Sequence, residues 1–113
     1  MSKNVVPSQS GLEQFHGGLI SGVHIFLKGV SDTRQECPDE DLKKARKNLD
    51  RVLKKSGQST VRHILEIQDG LEKIKAAITD FITQSKSTRL RARLAEADAW
   101  LEKIKVEFKK ETI

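Results

Sequence analysis

The stretch STVRHILEIQDGLEKIKAAITDFI, residues 59–82, decides how this chain folds. Its apolar residues Ile64, Ile67, Leu71, Ile74, Ile78 and Phe81 step by 3, 4, 3, 4 and 3. That rhythm puts all six on one face of an α-helix, with charged residues between them turned to water. Ser59 stands where an N-cap hydroxyl is needed. Gly70 inside the run costs about 1 kcal/mol relative to alanine, and close packing with a neighbour is a reason for it. A helix with one apolar stripe must bury it against other elements.

The chain supplies those elements on both sides. The five residues LEKIK occur at Leu71–Lys75 and again at Leu101–Lys105. In both copies Leu and Ile are three apart on a stripe, and Glu and the two Lys fall between them. The second copy lies in STRLRARLAEADAWLEKIKVEFKKE, where Leu90, Leu94, Ala97, Leu101, Ile104 and Phe108 step by 4, 3, 4, 3 and 4. Ser87 is its expected cap, after the polar joint TQSKS. The repeat is one structural solution used twice, on two arms of an antiparallel hairpin. Upstream, PDEDLKKARKNLDRVLKKSG carries Leu42, Ala45, Leu49 and Val52 at steps of 3, 4 and 3. Pro38 suits a first helical turn. Asp39, Glu40 and Asp41 at one end and Lys54 and Lys55 at the other complement the helix dipole. Gly57 is an expected stop.

The most N-terminal helix, in SGLEQFHGGLISGVHIFLKGV, is of another kind. Ser10 and Glu13 form a capping box. Leu12, Phe15, Leu19, Val23, Phe26 and Val30 make a stripe, which Ile20, Ile25 and Leu27 widen past half the circumference. Gly17, Gly18, Gly22 and Gly29 weaken the helix alone. A wide apolar face predicts burial on several sides, and the glycines would let other backbones come close. The expected fold is therefore all-α. It is an antiparallel four-helix bundle with helices at roughly 10–30, 38–56, 59–84 and 87–110, in one domain spanning 10–113 behind a flexible tail, 1–9.

Composition agrees with this. Charged residues are 33% of the 113, and Tyr is absent, which favours helix over the aromatic, β-branched alternation of strands. The net charge of +5 comes from interspersed charges, so it does not by itself define a nucleic-acid binder. One cysteine, Cys37, has no internal disulfide partner. With a polar start, MSKNVVPSQS, this points to an intracellular, cytoplasmic setting. No apolar run reaches the roughly 18 residues of a membrane span.

Catalytic chemistry finds little footing. His16 and His24 are eight apart on one helix, too far to clamp a metal from adjacent turns, and His63 belongs to another helix. A Cys37–His pair would lack an orienting third group and an oxyanion site. HGGLISG lacks the lysine of a phosphate loop. We expect no enzyme, no cofactor and no metal.

The expected function is a helical protein–protein interaction or oligomerisation module. Its partner would be another protein or a second copy, met by Phe15, Leu19, Phe26 and Trp100. An alternative is nucleic-acid or anionic-surface binding through Lys43, Lys44, Lys47, Arg51, Arg89 and Arg93. That reading has few exposed aromatics for base stacking. A third is a membrane-active domain using Gly18 and Gly22 as a close-contact pair. Glu13, His16, His24 and Lys28 interrupt that segment at a cost in hydrocarbon.

Overall fold

The computed structural model describes residues 7–32, 40–83 and 88–112. Most of the expected tail, Cys37 and its loop, Pro38 and the Ser87 cap lie outside them. Four helices result: α1 (Pro7–Asp32), α2 (Glu40–Leu53), α3 (Thr60–Ile82) and α4 (Thr88–Thr112). Among the described residues there is no strand. Each helix packs on the next, α4 closes back on α1, and α1 also touches α3. Gly22 and Gly29 of α1 lie against Trp100 and Arg93 of α4, so one number rises as the other falls. Leu49 on Gly70 and Lys55 at Glu66 give the same antiparallel sense to α2 and α3. The chain is an antiparallel four-helix bundle.

The stripes read from the sequence form its core. Ile64, Ile67, Leu71, Ile74 and Ile78 are wholly buried, as are Leu90, Ala97 and Ile104 of α4 and Leu49 of α2. Leu12, Leu19, Val23, Phe26, Leu27 and Val30 bring in α1 from the remaining side. Phe81, Leu94 and Phe108 are half-buried against this core. Burying a side chain of this size contributes about 1.5–3 kcal/mol, so the core dominates the few ion pairs that join the helices.

The helix ends differ in places from the sequence expectation. α1 begins at Pro7 and not at Ser10, so Ser10 and Glu13 sit inside the helix. Proline's fixed φ and missing N–H suit the first helical position, which lets the helix extend back by three residues. α2 ends at Leu53 instead of 56. The Lys54 and Lys55 amides bond to the Arg51 and Val52 carbonyls, three residues back, which tightens the last turn. The reversal itself falls at Gly57, whose φ of 83° is accessible to glycine at little cost. The Ser59 hydroxyl caps α3 as expected, accepting from the Arg62 amide at 3.2 Å.

With 14 residues, α2 is much shorter than its neighbours of 26, 23 and 25. The turn after α2 is fixed by Glu66, which accepts from Lys55 at 3.1 Å and from Gln58 at 2.9 Å. These bonds, the Lys55 one foremost, hold the Glu66 carboxyl below its ordinary range. The end of α2 is met by α1 and α3 through histidine.

Candidate functional site

α1 separates two grooves. One lies between α1 and α4 and encloses about 570 Å³. Phe15 of α1 and Ala99 and Val106 of α4 form its apolar lining, with Glu102, Lys103 and Glu107 at its rim. Val106 is 42% exposed, in a chain that buries most of its large aliphatics. Beside this groove the Trp100 indole packs against Gly22; a Cβ there would run into the ring. The Lys103 ammonium sits over the Trp100 ring, 4.4 Å from its centre. The two LEKIK copies diverge here. Lys103 of the second lies over the Trp100 ring, whereas its counterpart Lys73 pairs with Asp69 of its own helix at 3.2 Å. Lys75 of the first copy pairs with Asp98 of α4 at 2.6 Å. That bond raises the Lys75 pKa.

Of the four residues expected to meet a partner, Leu19 and Phe26 are in the monomer core, at 0% and 2% exposure. They cannot form a surface in this fold. Their stripe positions were read correctly as apolar, and the stripe is buried in the bundle core. Phe15 and Trp100 are half-buried at the α1–α4 seam, and Val106 joins them. The sequence shows Val106 only as an apolar residue off the stripe, which is the signal that marks it.

The basic residues do not share one surface. Lys44 lines the α2–α3 groove with Asp41 and Asp80, while Lys47 lines the α1–α2 groove. Lys43, Arg51 and Arg89 are exposed. Arg93 turns inward over Gly29, pairs with Glu96 at 3.3 Å and keeps a buried Nε without a hydrogen-bond partner. Its position is structural.

Sequence spacing gave no hint of the closest polar constellation. His16 Nε2 and His63 Nδ1 are 2.7 Å apart, and His63 Nε2 is 2.7 Å from the Val52 carbonyl oxygen at the end of α2. A carbonyl oxygen only accepts, so His63 Nε2 carries a proton. In neutral His63 the Nδ1 then accepts, and His16 Nε2–H donates to it. His63 is 4% exposed, and burial, then the neighbouring His63, lowers the His16 pKa. The residues are 47 apart in sequence, so only the packing of α1 on α3 reveals the pair. Among the described residues no group of three His, Cys, Asp or Glu is placed to hold a metal ion. The pair is a hydrogen-bonded joint between three helices.

Gly18 and Gly22 also separate. A Cβ at Gly18 would meet open space, whereas Gly22 lies on Trp100. No helix of the described residues is long and apolar enough to cross a membrane. Comparison with models of protein families, with curated proteins and with solved structures finds no match to this chain.

Proposed function

We propose that this protein is a non-enzymatic helical interaction module that associates with a second copy of itself through the α1–α4 groove. One observation carries the reading: an apolar lining of Phe15, Ala99 and Val106 bordered by rim charges of both signs, Glu102 and Glu107 with Lys103. A two-fold interface uses the same patch twice, so it must be self-complementary. Mixed charges around an apolar centre satisfy this, since Glu102 of one copy can face Lys103 of the other while the two Val106 side chains meet. Apolar burial at the centre would supply affinity and the rim would set orientation.

Cysteine scanning tests the proposal in a Cys37→Ser background. Val106→Cys should oxidise to a disulfide-linked dimer at micromolar protein. Ile25→Cys, more accessible at 73% exposure against 42% for Val106 but outside the groove, should remain monomeric. Dimer formation by Ile25→Cys alone would move the interface elsewhere and defeat the assignment.

A further inference from the structure

The opposite flank of α1 carries different chemistry. Between α1 and α2 lies a groove of about 510 Å³, lined among others by Ile25, Leu27, Lys28, Arg46, Lys47 and Asp50. Ile25 is 73% exposed, the most exposed large apolar side chain among the described residues. Asp50 is already paired with Lys54 at 3.1 Å. Lys28, Arg46 and Lys47 are not ion-paired among the described residues. One bank of α1 and one of α2 therefore present like charges to each other around the exposed Ile25. That arrangement is unfavourable in the free protein and is relieved by an acidic occupant.

The character of the occupant follows from what the groove lacks as well as what it holds. The one ring among its lining residues is His24, which gives bases a single small stacking platform and no continuous track. A single protruding isoleucine gives a bilayer little to take up. One exposed isoleucine flanked by three cations, along about two turns of helix, matches an amphipathic helix that sets a leucine on Ile25 and carboxylates beside it. We infer that the α1–α2 groove docks an acidic amphipathic helix of another protein, with its carboxylates on Lys28, Arg46 and Lys47 and its apolar stripe on Ile25. This rests on the reading of the chain as an interaction module, but it uses the face of α1 away from the self-association groove. The two activities would make the protein a paired adaptor.

The probe is a labelled synthetic peptide of about four helical turns, with leucines on one face and glutamates beside them, followed by fluorescence anisotropy. The full chain should bind it. The Lys28→Glu, Arg46→Glu, Lys47→Glu protein should lose about tenfold or more in affinity and gain binding to the same peptide with lysine in place of glutamate. Ile25→Ser should weaken binding to both peptides. A control with equal charge change outside the groove, Lys44→Glu, Arg51→Glu, Lys105→Glu, should lose far less. Circular dichroism verifies that each variant keeps its helices. An equal loss in both triple variants would overturn the proposal, as would absence of peptide binding. Tighter binding of duplex DNA or of phosphatidylserine vesicles through the same three residues would also overturn it. Failure of self-association instead appears in the molecular mass without peptide, which the groove variants leave unchanged, so the two proposals fail separately.

Discussion

His63 has one tautomer while it is neutral, because a carbonyl oxygen faces its Nε2. His16 must then give its Nε2 proton to His63, and its own Nδ1 is the next position to protonate. Burial opposes that proton first and His63 second, so the folded His16 pKa lies below the ordinary 6.5. Between the two values the unfolded chain binds more protons than the folded one. The stability contributed is complete above about pH 6.5 and falls as pH drops toward the folded value. Thermal melts from pH 7.5 down to 5 should show this decline. His16→Gln keeps a donor for His63 but does not titrate, so its melts should be flatter over that window. Identical pH dependence in both proteins would remove His16 as the cause. At the same scale, His63→Ala should cost about 2–3 kcal/mol in denaturant melts, since it empties a buried site and deletes two hydrogen bonds. None of this was legible in the sequence. Spacing reports neighbours on one helix, and His16 and His63 meet only across two.

At the scale of the helix, the same residue type has opposite consequences at positions four apart. Gly22 is held by Trp100, and Gly18 faces open space. Gly22→Ala should therefore displace the indole and cost about 1–3 kcal/mol by overpacking, with a change in tryptophan emission. Gly18→Ala should stabilise by up to about 1 kcal/mol from helix propensity alone. Urea denaturation of the two variants decides this; destabilisation by both would mean Gly18 also meets a neighbour. Helix identity was legible because the stripes of α2, α3 and α4 keep a strict helical step, and nearly all their positions are buried. In α1 the apolar excess was legible, but its distribution was not. Leu27 went inward and Ile25 outward, a choice made by where α2 sits and not by α1's own pattern. Helix starts were legible where a side chain caps, as at Ser59, and less so where proline competes with a capping box, as at Pro7.

For the molecule as a whole, three longer helices and one short one leave α1 with two unequal flanks. The α4 flank is apolar with mixed charges at its rim, and the α2 flank is cationic. The bundle was legible from four stripes and short connections. The flanks were not, because they depend on register between helices: Phe15 and Val106 become neighbours only when α1 and α4 run antiparallel at the pairing of Gly22 with Trp100. Self-association through the α4 flank is the central claim. Light scattering coupled to size exclusion tests it most directly, run at low and high salt on the native chain and on Val106→Asp. The native chain should elute as a discrete dimer at both salts, since its interface centre is apolar and apolar burial is not screened. Val106→Asp should be a monomer with unchanged helical content. A native chain that is monomeric at both salts across the micromolar range would contradict the claim.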